Sequence, residues 1–267
     1  MEILFLLLFV GLGVGAFALA GGSDDGGDAG DGGDDEPPGR VLVGTGGNDL
    51  LAGGDGPDRI FGGDGDDTLL GGEGNDSLFA EAGADLLFGG PGNDLLRGGG
   101  GPDTMFALSG EDTLFGETGS DFLVALDGPD RPGAPDELSG GFGVDFLVGD
   151  DGDTLTGGAD ADIFAVVRWT HDDAPVVIRD FTPDEDRLEI IADRTGFNAV
   201  MWDDLFLAVD QQRGQVNVQL FGRTVAILEG VTEPPEDVVL LHQDMRTVLE
   251  NVRQAEAAQT ARARATA

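Results

Sequence analysis

The sequence predicts an all-β protein built around a parallel β-roll, a solenoid made of nine-residue repeats. Nine copies of a nine-residue unit run from Gly44 to Val124 without an insertion. A fixed period of this length is typical of parallel β-helices. The unit reads G-G-x-G-x-D-x-U-x, where U is a large apolar residue. Position eight is apolar in every copy: Leu51, Ile60, Leu69, Leu78, Leu87, Leu96, Met105, Leu114 and Leu123.

Each unit is expected to contain a tight turn followed by a short strand. Glycines at positions one, two and four allow φ > 0 and close backbone approach, which a tight turn needs. A three-residue strand directs one side chain inward, and position eight supplies that side chain. Because one apolar residue per unit gives a thin core, neighbouring coils must stack to bury it.

Position six is aspartate in all nine copies: Asp49, Asp58, Asp67, Asp76, Asp85, Asp94, Asp103, Asp112 and Asp121. Stacking of every second unit places these carboxylates about 4.8 Å apart. Two unit charges at that distance repel by about 1 kcal/mol in water and by ~3–4 kcal/mol at an intermediate dielectric. We therefore expect cations between them, and oxygen-only ligands favour calcium over zinc or copper.

A metal-free solenoid, in which the aspartates only terminate turns, is the alternative interpretation of the same pattern. The units that begin at Ala80 and Ala107 lack the first two glycines, so for their aspartates both an ordinary site and a weak or empty one are open. After Val124 the register breaks and then resumes less regularly, with one unit, 149–156, a residue short. Four further aspartates stand at or nearest position six: Asp136, Asp145, Asp153 and Asp162. The roll is predicted over 40–165, as a rod roughly 30 Å long.

The carboxy-terminal part is predicted as an antiparallel β-cap over 166–233 and a helical tail over 234–267. β-Branched alternation such as "PVVIRDF", "RLEII" and "QVNVQLF" indicates antiparallel strands. A cap is expected because the open end of a solenoid exposes apolar side chains and strand edges. Asp180 and Asp186 are expected to be strand-end carboxylates or ligands of one further ion. In the tail, Met245, Val248, Leu249 and Val252 have amphipathic helical spacing.

The amino-terminal part is predicted as an apolar helix over 1–20 followed by a disordered linker over 21–39. The residues from Ile3 to Ala20 carry no charge, which suits a membrane anchor, a cleaved signal or a buried helix. The linker contains mostly glycine and acidic residues, and it is expected to be a solvated tether.

Four units, "GGDGPDRIF", "GGDGDDTLL", "GGEGNDSLF" and "GGPGNDLLR", resemble the RTX, or haemolysin-type, calcium-binding repeat. The resemblance implies a right-handed roll with two repeats per coil and several calcium ions held by position-six carboxylates and turn carbonyls. The segment "VIRDFTPDEDRLEI" resembles the sequence after the repeats in the carboxy-terminal module of serralysin-type proteases. The family implies a bacterial protein that is secreted or anchored at the cell surface, with a type I secretion apparatus as a candidate partner.

Composition narrows the function classes further. A net charge of −38 excludes phosphate-driven nucleic-acid binding, which needs a basic face. The absence of cysteine excludes disulfides and thiolate metal sites. There is no H-E-x-x-H, G-x-S-x-G or P-loop motif, so we expect no enzyme. The predicted function is calcium binding with folding coupled to it. The alternative is a calcium-dependent adhesion or matrix protein that uses the roll as a spacer, with a protein or glycan partner.

Overall fold

The protein is described here by a computed structural model that covers residues 37–127, 134–168, 174–193, 205–220, 223–235, 238–243, 254 and 257–263. These residues contain twenty strands, which form one eleven-stranded and one nine-stranded sheet. The strands of the eleven-stranded sheet, in spatial order, are β1 (Val41–Val43), β3 (Arg59–Asp64), β5 (Ser77–Ala82), β7 (Leu95–Gly100), β9 (Thr113–Thr118), β11 (Glu137–Phe142), β13 (Thr154–Ala159), β15 (Val176–Ile178), β19 (Arg223–Glu229), β18 (Gln215–Leu220) and β17 (Leu205–Asp210). Those of the nine-stranded sheet are β2 (Leu50–Asp55), β4 (Thr68–Glu73), β6 (Leu86–Phe88), β8 (Thr104–Ala107), β10 (Phe122–Ala125), β12 (Phe146–Gly149), β14 (Ile163–Arg168), β16 (Arg187–Asp193) and β20 (Val238–Gln243).

Successive repeats contribute strands to the two sheets alternately, so two repeats make one coil. Each strand pairs in parallel with the strand two repeats later, as in Leu51 with Leu69 and Ile60 with Leu78. Equivalent repeat positions therefore stack directly on one another along the roll. This pairing confirms the predicted parallel β-roll.

The core lies between the two sheets and consists largely of the position-eight side chains. Leu51 is 3 % exposed, and Ile60, Leu69 and Met105 are fully buried. The same cluster continues through Phe164 into the carboxy-terminal strands. The one apolar residue per repeat thus stacks into a continuous column, as the thin-core argument predicts.

The carboxy-terminal strands extend the roll further than the sequence predicted. Strands β15 and β16 pair in parallel with β13 and β14, and β19 and β20 pair in parallel with β15 and β16. The prediction of antiparallel pairing was therefore wrong for "PVVIRDF" and "RLEII", and it is confirmed for β17–β18 and β18–β19. The reason is that β-branched alternation specifies a strand but not the direction of its partner.

Three predicted features are partly or wholly outside the described residues. The apolar segment Ile3–Ala20, the linker and the Met245–Val252 stripe lie outside them, whereas residues 257–263 of the tail are helical. Strand β20 lies inside the segment predicted as a helical tail and was not foreseen. Within the described ranges, no helix is both long enough and apolar enough to cross a membrane.

Candidate metal centre

The position-six aspartates form two ladders, one along each side of the roll where the turns stack. The first ladder contains Asp49, Asp67, Asp85, Asp103, Asp121, Asp145, Asp162 and Asp186. The second contains Asp58, Asp76, Asp94, Asp112, Asp136 and Asp153. All thirteen predicted site residues belong to these ladders, and each is at most 3 % exposed.

A repeated hydrogen bond fixes one oxygen of each ladder carboxylate. Except in the last members, Asp153 and Asp186, the backbone N–H of each ladder aspartate donates to Oδ1 of the aspartate in the next coil, at 2.7 to 2.9 Å between nitrogen and oxygen. The contact spans the register break, where Asp121 donates to Asp145 and Asp112 donates to Asp136. Each side chain is thus oriented by the coil that precedes it.

The second carboxylate oxygen is buried and has no hydrogen-bond partner among the described residues. This holds for Oδ2 of Asp58, Asp67, Asp76, Asp85, Asp103, Asp112, Asp121 and Asp145. A buried charged oxygen without a partner carries a large desolvation penalty. The geometry therefore leaves an unsatisfied oxygen on each of these eight aspartates, which is the donor that a hard cation needs.

A backbone carbonyl lies beside this oxygen at the position-one glycine. A Cβ on Gly62 would lie 2.3 Å from Oδ2 of Asp67 and 2.8 Å from the carbonyl oxygen of Ala80 in the next coil. A Cβ on Gly53 would meet Oδ2 of Asp58 at 2.0 Å and the carbonyl oxygen of Gly71 at 2.6 Å. Carboxylate and carbonyl oxygens together fit a calcium ion.

Side chains alone do not complete such a centre. Among the described residues, no group of three or more His, Asp or Glu side chains converges in a way that could hold a metal ion. Backbone carbonyls must therefore supply part of the coordination, as they commonly do for calcium, which takes six to eight oxygens. A Cβ at Gly53 or Gly62 would collide with these donors, which explains the glycine at position one of these two units.

The ladders continue through the two units that lack the first two glycines. Ala80 and Ala107 are fully buried at position one, and Asp85 and Asp112 of these units remain buried on the ladders. Their backbone N–H groups donate to Asp103 and Asp136 as elsewhere. The geometry of the ladder hydrogen bond therefore does not distinguish these units, and calcium binding by Asp85 and Asp112 stays a prediction.

Burial raises the pKa of many of the ladder carboxyl groups because desolvation disfavours the charged form. Burial raises the pKa of Asp85 and Asp112 to about 7, of Asp103 to about 8 and of Asp136 to about 9. The N–H bond from the preceding coil lowers each value, and neighbouring carboxylates raise it further. A divalent cation between the carboxylates lowers their pKa because it stabilises the ionised form.

At the ladder ends, hydrogen bonds from the protein occupy some of the carboxylate oxygens, although Oδ1 of Asp49 is buried without a partner among the described residues. Asp49 Oδ2 accepts hydrogen bonds from the N–H and hydroxyl of Thr45. Asp186 accepts the N–H of Asp162 on one oxygen and the N–H of Thr182 on the other. Asp180 accepts the N–H groups of two glycines, at 2.8 and 3.0 Å. Backbone N–H groups thus satisfy the carboxylate oxygens of Asp180 and Asp186, which favours their interpretation as strand-end carboxylates over ligands of a further ion.

Asp153, in the short unit, differs from the other predicted ligands. Its Oδ1 accepts the N–H of Asp136 and its Oδ2 accepts the N–H of Asp150, at 2.9 and 2.7 Å. The missing residue lets Asp150 come close enough to occupy the oxygen that stays unsatisfied elsewhere. Asp153 therefore lies on the ladder without offering the same open donor.

Two buried aspartates near this point were missed by the sequence reasoning. Asp127 accepts the N–H of Gly110 and of Ala134, and Asp150 is 1 % exposed. The negative charges of both help to raise the pKa of Asp136. They follow the strands rather than preceding them, so the position-six pattern gave no signal. Their common signal is an aspartate immediately after "AL" or "VG" at a strand end where the register breaks.

Comparison with known proteins agrees with this geometry. The model of the RTX calcium-binding nonapeptide repeat matches in overlapping stretches that together cover 43–132 and 134–153. A search of curated proteins gave no match. The solved structures include the extracellular lipase LipA from Serratia marcescens, at 19 % identity over 78 % of this chain and 41 % of the lipase chain, with a TM-score of 0.25. This chain thus spans less than half of the lipase, and a TM-score this low supports no conclusion about fold or function.

The period, the paired sheets, the aspartate ladders and the family match all concern the same residues. RTX nonapeptide repeats bind calcium ions, and the unsatisfied carboxylate oxygens and neighbouring carbonyls fit that ion. Residues 43–132 and 134–153 of this chain match the model of the RTX calcium-binding nonapeptide repeat.

Proposed function

We propose that this chain is a non-catalytic calcium-binding protein that works outside the cytoplasm and whose roll folds when calcium binds. The ligands would be the position-six aspartates that offer an unsatisfied oxygen, together with carbonyls of the neighbouring turns. The observation that carries the proposal is the row of buried Oδ2 atoms without hydrogen-bond partners.

Coupling between binding and folding follows from the energetics of the ladders. The unfolded chain keeps its carboxylates hydrated and apart, whereas the roll buries them in rows about 4.8 Å apart. Without a cation, the row is opposed by repulsion and by desolvation. The apolar core between the sheets contains only about one side chain per repeat, so its burial does not offset the repulsion and the desolvation. Calcium binding supplies the remaining free energy of folding.

The same coupling supports a location outside the cytoplasm. Free calcium is scarce in the cytoplasm and reaches the millimolar range outside, where RTX-type modules of modest affinity are loaded. The chain would then remain unfolded during export and fold on arrival. The absence of cysteine agrees with this assignment, because calcium replaces disulfides as the cross-link.

A calcium titration of the full chain tests the proposal. We expect far-ultraviolet circular dichroism to change cooperatively from coil to β at about 1–10 mM calcium. Calorimetry on the same sample should give several ions per chain. Magnesium at the same concentration is the matched control, since its octahedral preference suits these sites poorly. A chain that shows the same β signal in chelator as in calcium would refute the proposal.

The non-catalytic assignment is tested separately, with calcium-loaded protein. The sequence offers no cysteine nucleophile and only two histidines, His171 and His242. We expect no turnover of ester, peptide or glycoside reporters above that of a sample denatured beforehand. Turnover that is abolished by His171→Ala or His242→Ala would contradict the assignment and leave calcium binding intact.

A further inference from the structure

The two outer faces of the roll differ sharply in exposure. On the nine-stranded sheet the outward position-nine side chain of β2, Ala52, is half-buried, and those of the strands from β4 to β14 are 0 to 5 % exposed: Leu70, Phe88, Phe106, Val124, Val148 and Ala165. On the eleven-stranded sheet the equivalent side chains are half-buried or exposed: Phe61, Phe79, Arg97, Phe115, Ser139 and Thr156. We call the outward apolar side chains of β2 to β16 in the nine-stranded sheet the covered face.

Stacking within a sheet does not explain this difference. Phe88 and Phe106 stack on the covered face with ring centroids 5.2 Å apart. Phe61 and Phe79 stack in the same way on the opposite face, with centroids 5.0 Å apart. Only the first pair is buried, at 1 and 2 % exposure. A segment outside the sheet must therefore lie over the covered face.

The carboxy-terminal helix contacts this face. Ala263 belongs to the same apolar cluster as Phe88, Phe106 and Ile191. Within the helical residues 257–263, Gln259 and Ala263 are each 6 % exposed, whereas Ala261 and Arg262 between them are exposed. A spacing of four residues places Gln259 and Ala263 on one side of the helix, and that side faces the roll.

The preceding sequence continues the same side of the helix. Val252 lies seven residues before Gln259, and Val248 and Met245 lie four and seven residues before Val252. A stripe with steps of three, four and seven is one face of an α-helix. The apolar stripe predicted from the sequence is thus in phase with the two positions that the structure buries.

Length and charge also fit this segment to the covered face. As a helix, the 24 residues from 244 to 267 would span about 36 Å. The eight strands from β2 to β16 span seven intervals of about 4.8 Å, or about 34 Å. The segment contains four arginines and three acidic residues, a net charge of +1 in a chain whose net charge is −38, so it is not repelled by the acidic roll as the rest of the chain would be.

We propose that residues 244–267 form an amphipathic helix that docks on the covered face and seals it against solvent and other copies. An apolar surface of this length left open on a monomer is an association site. The dependence of docking on calcium rests on the proposed function, because the face exists only when the roll is formed. Docking then stabilises the loaded roll by mass action within the chain.

The chain lacks cysteine, so single thiols report docking in the full-length protein. Ala263→Cys places a thiol on the docked side, and Ala261→Cys places one on the exposed side two residues away. In calcium, we expect a thiol reagent to react about tenfold more slowly at position 263 than at position 261, because reaction needs local opening. In chelator, both positions should react alike.

A second pair of variants identifies the surface that protects the thiol. Phe88→Ser with Phe106→Ser should restore fast reaction at position 263 in calcium, whereas Phe61→Ser with Phe79→Ser on the opposite face should not. If the first double variant fails to form the roll, Ala263→Arg and its control Ala261→Arg serve instead, with the thiol placed by Gln259→Cys. Only Ala263→Arg should then accelerate the reaction.

The outcomes separate the two proposals. Equal reactivity at positions 263 and 261 in calcium, with a normal calcium-induced β signal, overturns tail docking and leaves the proposed function standing. It would mean that Ile3–Ala20 or a second copy covers the face. Protection of position 263 that is the same in chelator, together with an unchanged β signal, overturns calcium-coupled folding and leaves tail docking standing.

Discussion

The substitution Asp67→Asn tests the charge argument at one rung of a ladder. Asp67 Oδ1 accepts the N–H of Asp49, and its own N–H donates to Asp85, at 2.8 and 2.7 Å. Asparagine keeps this acceptor and the shape of the side chain but removes the charge at the unsatisfied Oδ2. Two repulsive pairs disappear, each of about 3–4 kcal/mol at an effective dielectric of 20 and a spacing of about 4.8 Å.

Asp67→Asn should stabilise the roll without calcium and weaken the roll's response to calcium. In chelator, Asp67→Asn should raise the β content because the metal-free roll is less repelled. In calcium it removes a ligand charge, so we expect the calcium midpoint to rise about tenfold, which corresponds to ~1.4 kcal/mol. Circular dichroism across a calcium titration measures both effects, and thermal unfolding in saturating calcium should give a lower Tm.

Asp66→Asn is the matched control for this experiment. Asp66 is exposed at position five and accepts the N–H of Ala84, a role that Asn48 and Asn75 fill in neighbouring units. The change removes the same charge one residue away, and it should leave the midpoint within about twofold, since exposed charges are screened. Equal effects of the two substitutions would mean that net charge, rather than the ladder, governs folding.

Three further predictions concern sterics, backbone strain and pH. Gly62→Ala should destabilise the calcium-loaded roll by about 1–3 kcal/mol through its contact with Asp67 Oδ2, whereas Gly47→Ala, whose Cβ meets nothing within 4 Å, should be neutral in the same thermal unfolding assay. Glu81 has a φ of 80°, so Glu81→Gly should stabilise by up to about 1 kcal/mol in calcium, and a lower Tm would contradict this reasoning. In chelator, the metal-free roll should gain β content as the pH falls from about 8 towards 4. Buried carboxyl groups of the roll, such as Asp103 with a pKa of about 8, are protonated in this pH range, whereas the same groups are ionised in the unfolded chain. The free energy of unfolding of the metal-free roll therefore falls as the pH rises from about 4 to about 8. A β signal in chelator that grows with rising pH would show the opposite sign.

The roll and its ladders were predictable because the period couples local and long-range structure. A repeat of nine residues with aspartate at position six fixes which residues stack, since every second repeat lies in the same sheet. Asp67 and Asp85 could therefore be placed next to each other without any tertiary information. The burial of each ladder aspartate follows from the same stacking, because the next coil covers each turn.

The ends of the ladders could not be predicted in this way. Asp153 was expected to be a ligand because it stands nearest position six in a short unit. Because this unit is one residue short, the N–H of Asp150 reaches the second oxygen of Asp153. The sequence shows the deletion but not the position that Asp150 then takes. Likewise Asp186 continues the first ladder across 24 residues, a spacing that has no place in the nine-residue register.

The carboxy-terminal strands were misjudged for a related reason. Pairing direction depends on which edge is available when a strand arrives, and the roll presents parallel edges at β13 and β14. The hairpin β17–β18 is antiparallel because a short turn connects two adjacent strands. Strand β20 then adds to β16, so the two sheets of the roll end with different caps rather than with one shared antiparallel layer.

The covered face can be recognised in the sequence when alternate repeats are compared separately, but not in a consensus of all repeats. Taken alternately, one set of units ends in "TLL", "LLF", "TMF", "FLV" and "FLV", whereas the other ends in "RIF", "SLF", "LLR", "TLF" and "ELS". Both sets carry the inward apolar residue, but charged residues at the outward positions occur only in the second. Since a coil contains two repeats, the informative period for the outer surface is eighteen residues. At that period, the sequence distinguishes a face that is exposed to water from one that needs a partner, and residues 244–267 are the partner that we propose.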